Sequence, residues 1–172
     1  MKGSSHFELQ QPNHDVKSDH CGRFHLHCTE ALMEMRSIYF AGSIRGGRQD
    51  AELYSKLIDH LRTHGTVLTE HVGDDELLHQ EKTMSEEEIF FRDMQWLIEA
   101  DLVIAEVSVP SLGVGYELAA AERMGKRILC LCRKSVGDKL SAMIKGNPAL
   151  ALRRYEGLEE AWGLIDHFIG EN

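Results

Sequence analysis

Residues 101–132 read DLVIAEVSVPSLGVGYELAAAERMGKRILCLC, and the order of elements in this stretch decides the fold. Leu102 to Ala105 is continuously apolar, which suits a strand covered on both faces in the middle of a sheet. From Ser111 the pattern turns helical, and Gly125 supplies the stop. "RILCLC", residues 127–132, is β-type again. A helix between two strands rules out a hairpin and makes the pair parallel.

The same alternation continues outward in both directions. Upstream, "SIYFAG" (residues 37–42) predicts a strand. In "DAELYSKLIDHLRTHG", Leu53, Leu57 and Leu61 with Ile58 share one helical face, and Gly65 is the stop. "TVLTEHV" predicts a second strand. "MSEEEIFFRDMQWLIEA" opens with Ser85 and Glu88 three apart, the spacing of a capping box. Downstream come a short helix in "DKLSAMIKG", a fifth strand in "LALRRYE" and a closing helix in "LEEAWGLIDHFI". Repeated strand-helix alternation predicts a doubly wound α/β fold, Rossmann-like or flavodoxin-like, with five parallel strands and helices on both faces. Residues 1–36, rich in His, Ser, Gln and Asn and without a period, read as a flexible N-terminal extension to a domain over 37–172.

In such folds ligands bind at the carboxyl ends of the strands. After the first strand, "GSIRGGR" holds Gly42, Ser43, Ile44, Arg45, Gly46, Gly47 and Arg48. Bare backbone N–H groups, room for close approach and guanidinium charge suit an anion, most often a phosphate. The loop lacks the Gly-Lys-Ser/Thr ending of a Walker motif and the third glycine of the dinucleotide fingerprint. After the second strand comes His71. After the third comes "SVPSLGVGYE", where Gly113 and Gly115 weaken a helix just where it begins. Close approach of a ligand explains these glycines better than propensity does. Glu117 follows in the opening turns, where it either compensates the helix dipole or faces the site. Asp93, mid-helix beside Phe90, Phe91, Trp96 and Leu97, is either a solvated helix-face residue or an acid kept protonated by apolar neighbours. Two carboxyls in different environments are what glycosidic cleavage requires.

Composition narrows the partners. The chain has 172 residues, 42% of them hydrophobic, enough for one domain with a core. Its formal net charge of −9 disfavours a nucleic-acid partner and leaves a small anionic ligand for the arginine-bearing loop. No apolar run is long enough to span a bilayer, and the N-terminus has no signal-peptide core. Cys130 and Cys132, two apart in a strand, face one side as buried reduced thiols, which points to a reducing compartment. Cys21 and Cys28, with His20, His25 and His27, offer zinc ligands, but their spacing matches no familiar structural site. His60 and His64 are four apart on a helix, either a metal pair or a solvated face, and the sequence shows no third ligand beside them.

Together "YFAGSIRGGR", "GTVLTEHV", "VIAEVSVPSLGVGYEL", "KRILCL" and "LSAMIKG" resemble the 2'-deoxynucleoside 5'-monophosphate N-glycosidases of the nucleoside 2-deoxyribosyltransferase superfamily. The resemblance covers roughly residues 37–157. It implies hydrolysis of the N-glycosidic bond of a deoxynucleoside monophosphate to free base and 2-deoxyribose 5-phosphate. By motif, Glu117 is the implied nucleophile, forming a deoxyribosyl-enzyme ester. Asp93 matches the acidic position near base and sugar, and Tyr39 the tyrosine that sets the position and charge of Glu117. Gly42 to Arg48 hold the substrate, with Arg45 near the phosphate. Ser111 and Gly113 match further phosphate-side contacts, and His71 a pocket residue. Ser141, with Ala142 and Met143 beside it, matches a segment reaching into a neighbouring subunit's site, which implies a homodimer. The resemblance calls for no metal and no cofactor, and the location it implies is cytoplasmic, nuclear or both. A deoxyribosyltransferase, in which a second base resolves the ester, and a non-catalytic nucleotide sensor are the alternatives.

Overall fold

The computed structural model describes residues 36–43, 50–69 and 83–171. Contacts divide the chain into Met1–Leu32 and Met33–Asn172, and every described residue lies in the second unit. The N-terminal extension and the zinc ligands suggested at Cys21 and Cys28 lie outside the described residues.

Five strands, β1 (Arg36–Ala41), β2 (Gly65–Val67), β3 (Leu102–Glu106), β4 (Arg127–Arg133) and β5 (Ala151–Tyr155), form one all-parallel sheet in the order β2-β1-β3-β4-β5. This is the flavodoxin-like order. The helices are α1 (Ala51–Leu61), α2 (Glu86–Glu99), α3 (Leu112–Arg123), α4 (Ala142–Lys145) and α5 (Leu158–Gly170). A 3-10 segment, Lys134–Lys139, precedes α4 and is kinked at Gly137.

Period-two alternation sends neighbouring strand residues to opposite faces. Ile38 and Phe40 of β1, Leu102 and Ile104 of β3, and Leu129 and Leu131 of β4 pack on one side with Tyr54, Leu57, Ile58 and Leu61 of α1 and Ala161, Ile165, Phe168 and Ile169 of α5. Tyr39, Ala41, Val103, Ala105, Ile128, Cys130 and Cys132 pack on the other side with Leu97 of α2 and Val114, Leu118 and Ala121 of α3. The sheet is therefore covered on both faces, as its unbroken apolar β3 requires. Cys130 and Cys132 share one face as free buried thiols.

Local signals hold where they are strongest. The capping box at the head of α2 is complete: Ser85 Oγ accepts from Glu88 N at 3.2 Å, and Glu88 Oε2 accepts from Ser85 N at 2.8 Å. After α3, Gly125 takes φ 70°, a conformation that glycine adopts without a steric cost. The second strand is shorter than "TVLTEHV" suggests, and Thr69 is the reason. Its buried hydroxyl accepts from Phe40 N and donates to Phe40 O, both at 2.8 Å, so a side chain supplies the bonds a longer ladder would make. At the strand's other end, a Cβ on Gly65 would lie 2.1 Å from Arg36 O, so only glycine permits that approach. Among the described residues no helix is long and apolar enough to cross a membrane.

Candidate active site

Strand order reverses between β1 and β3: the chain leaves β1 for β2 on one side and β3 for β4 on the other. The two exits leave a crevice at the carboxyl ends, where ligands of doubly wound sheets bind. Three of the sequence-predicted residues meet around it. Tyr39 comes from β1, on the face covered by α2 and α3, and is 2% exposed. Glu117 sits in the second turn of α3 and Asp93 midway along α2, both partly buried. The Tyr39 hydroxyl donates a hydrogen bond to the Glu117 carboxylate.

The surroundings make this carboxylate unusual. Burial pushes the Glu117 pKa up to about 7, and the negative charge of Asp93 adds to the rise, while the Tyr39 hydrogen bond opposes it. Burial likewise holds the Tyr39 hydroxyl protonated, far above the ordinary tyrosine range, with the Glu117 and Asp93 charges acting in the same direction. Asp93 is ion-paired with the neighbouring Arg92 at 2.9 Å, and that guanidinium lies 4.8 Å from the Trp96 ring centroid. The sequence leaves Asp93 either solvated on its helix face or kept protonated by apolar neighbours; the structure pairs it with Arg92 and raises Glu117 strongly.

The turn into α3 is built around Ser111. It is the N-cap, its Oγ accepting from Val114 N at 3.3 Å, which leaves the hydroxyl hydrogen uncommitted to that bond. Among the described residues, a Cβ on Gly113 would meet nothing nearer than Ser111 Oγ at 3.7 Å, and one on Gly115 nothing within 4 Å. Packing among the described residues therefore does not require either glycine. Gly42 differs. A Cβ there would stand 3.0 Å from the Tyr54 ring and 3.3 Å from that of Phe40, so a side chain fits only if those rings give by a few tenths of an ångström. Ser43, 3% exposed, donates its N–H to Tyr54 Oη at 3.2 Å, and its Oγ is buried with no partner among the described residues. Ile44, Arg45, Gly46, Gly47, Arg48 and His71 lie outside the described residues. Ser141, Ala142 and Met143 sit on the surface at α4, Ser141 Oγ accepting from Met143 N at 3.3 Å.

A second network flanks the crevice on the face of α1 and α5, and the sequence reading missed it. Glu106, fully buried at the end of β3, accepts from Ser108 N at 3.2 Å, Tyr155 Oη at 2.9 Å and the Ser108 hydroxyl. Burial raises its pKa. Ser108 Oγ in turn accepts from Arg133 N at 2.8 Å. The Arg133 guanidinium grips Asp50 with two parallel bonds, 2.8 Å to Oδ1 and 2.7 Å to Oδ2. Asp50 is the N-cap of α1, so the pair ties the start of that helix to β4. The available signal was an acid inside an otherwise apolar strand.

Comparison with known proteins follows the same outline. The family model described as nucleoside 2-deoxyribosyltransferase matches residues 38–147, a range that contains Tyr39, Asp93 and Glu117. The 5-hydroxymethyl-dUMP N-hydrolase of Rattus norvegicus is 54% identical over 112 residues, covering 64% of this chain and 69% of that protein. The protein of the same name from Esox lucius is 46% identical over 137 residues, covering 76% of this chain and 94% of that one. Among solved structures, the Clostridium botulinum CMP N-glycosidase BcmB superposes with a TM-score of 0.59 at 22% identity, covering 77% of this chain and 99% of that one, a likeness of fold.

Proposed function

Because the chain belongs to the nucleoside 2-deoxyribosyltransferase family, we propose that it hydrolyses the N-glycosidic bond of 2'-deoxynucleoside 5'-monophosphates. The products are the free base and 2-deoxyribose 5-phosphate. The observation that carries the reading is Glu117, a carboxylate pushed up to about pKa 7 beside the Tyr39 hydroxyl at the crevice between β1 and β3. A group poised near neutrality suits attack at an anomeric carbon.

In the proposed sequence ionised Glu117 attacks C1', and the bond from C1' to the base nitrogen breaks with its electron pair going to the base. Asp93 stands on the base side, and its carboxylate, paired with Arg92, passes to the base nitrogen the proton it takes from the attacking water. Water then attacks C1' of the deoxyribosyl ester as Asp93 takes its proton, and the bond from C1' to the Glu117 oxygen breaks to release Glu117 as a carboxylate. Tyr39 positions Glu117 and favours its ionised form. The sugar's missing 2'-hydroxyl eases positive charge at C1', which supports a preference for deoxy substrates. The loop from Gly42 to Arg48, with Arg45 foremost, and Ser111 and Gly113 hold the phosphate. Binding energy there orients C1' over Glu117, so a nucleoside loses turnover as well as affinity. His71 belongs to the pocket wall.

Residues 37–172 form the catalytic domain in this reading, and residues 1–36 an extension. The proposal includes a homodimer in which Ser141, Ala142 and Met143 reach the neighbouring site. Support comes from Met143, 80% exposed, and from an exposed aromatic cluster of Phe90, Phe91 and Tyr116 with ring centroids 5.5 and 6.0 Å apart. A cytoplasmic or nuclear location fits the free thiols of Cys130 and Cys132.

The test is a panel of deoxynucleoside 5'-monophosphates, 5-hydroxymethyl-dUMP among them, incubated with the enzyme while free base is followed by chromatography. Base release that Glu117→Ala abolishes is expected; release that survives in Glu117→Ala removes Glu117 from the nucleophile role. Adding a foreign free base separates hydrolysis from transfer, because a new nucleotide forms only if a base resolves the ester. Binding of a monophosphate without any base release would leave a sensor.

A further inference from the structure

We infer that His60, His64 and Asp166 form a site for one divalent transition-metal ion of the zinc class, bound between α1 and α5 at the edge of the sheet opposite the candidate active site. The sequence offers two histidines four apart and no third ligand near them. The fold supplies it, since α5 brings Asp166 across from 102 residues beyond His64.

Both imidazoles converge on one oxygen. Nε2 of His60 stands 2.6 Å and Nε2 of His64 2.8 Å from Asp166 Oδ1, and the ligand atoms all lie within 4.8 Å of one another. An ion with bonds of about 2.0–2.2 Å spans two nitrogens up to about 4.4 Å apart, so it fits if the carboxylate withdraws and the two imidazoles stand or close within that span. The Asp166 side chain is 50% exposed and has room to do so. The histidines are held more firmly. The His60 ring stacks on Trp162 at 5.3 Å and 19°, and packs edge-on against His64 at 5.3 Å. Their side chains are 21% and 25% exposed, ordered yet reachable from solvent.

Two imidazole nitrogens and one carboxylate oxygen select zinc and its first-row neighbours over calcium or magnesium, which prefer oxygen throughout. The place of the site defines its role. His64 directly precedes Gly65, which pairs with Arg36 at the amino end of β1, whereas Tyr39 and Glu117 gather at the carboxyl ends. The ion therefore clamps α1 to α5 and takes no part in chemistry at the crevice. This inference does not depend on the proposed reaction.

The full chain, stripped of metal with a chelator, is titrated with zinc chloride by calorimetry and by thermal unfolding. At zinc a hundredfold above its Kd, Tm is expected to rise by about 5–10 °C. His64→Ala and Asp166→Asn should each lose one binding equivalent and more than half of that rise, with His60→Gln replacing any variant that fails to fold. Because His20, Cys21, His25, His27 and Cys28 offer a competing set, the titration is repeated with cobalt(II). Imidazole and carboxylate ligands give no thiolate charge-transfer band, and cysteine ligands do. Equal stoichiometry, affinity and Tm gain in wild type and variants, or a thiolate band accounting for all bound cobalt, would overturn the assignment.

Discussion

Removing one oxygen, in Tyr39→Phe, should move the enzyme's acid limb without destroying its chemistry. In the proposed reaction Glu117 attacks as the ionised carboxylate, and its pKa of about 7 makes it about half ionised at neutral pH. The Tyr39 hydrogen bond acts downward on that value, against burial and the charge of Asp93. A hydrogen bond to a charged group contributes about 1.5–3 kcal/mol, and one pKa unit corresponds to about 1.4 kcal/mol. Losing the bond should therefore raise the Glu117 pKa by about 1–2 units. The assay is kcat/KM for base release from about pH 5 to about pH 10, which reports groups of the free enzyme and substrate. The wild-type acid limb is expected near 7, and that of the variant near about 8–9. At neutral pH the variant should be about five- to fiftyfold slower, with most of the loss recovered at the alkaline end. The substrate's phosphate titrates near about 6, but equally for both enzymes, so the difference between profiles isolates Glu117. A variant slowed by one constant factor at every pH, or a wild-type limb near the ordinary glutamate value, would refute the reasoning.

Glu117→Gln tests the same burial through stability. A folded-state pKa raised from 4.5 to about 7 gives a contribution that is full below about 4.5 and lost as pH rises through 7. Relative to wild type, the Gln variant should gain up to about 3 kcal/mol between pH 5 and pH 8 in urea unfolding, and parallel curves would contradict this. Arg133→Ala leaves Asp50, 10% exposed at its side chain, without its guanidinium, so unfolding free energy should fall by about 1–3 kcal/mol; an unchanged denaturation midpoint would show the clamp to be idle. Thr69→Val keeps the shape but strips Phe40 N and O of their buried partner, and a loss of about 1–3 kcal/mol is expected by the same measurement, with no loss counting against the account of β2.

The elements were legible because their signals are local. Leucines spaced along α1, Ser85 with Glu88 at the head of α2, Gly125 after α3 and the apolar run of β3 each act within a few residues, and they imply a two-faced parallel sheet. Glu117, Asp93 and Tyr39 were named from motif and position, and the fold brings them around one crevice. What local signals do not carry is which distant groups meet and how much water remains between them. Thr69 cuts β2 short by reaching Phe40, 29 residues away; Tyr155 satisfies Glu106 from 49 residues away; Asp166 completes the His60–His64 pair from another helix. The proton affinity of Glu117 belongs with these, because burial sets it and burial exists only once helices and sheet close around the side chain. The chain's own order of residues thus determined the elements and which residues stand at the strand ends as candidates, through contacts within a turn or two. Tertiary structure alone decided their partners and their charge, because desolvation and long-range hydrogen bonds arise only between segments already packed together.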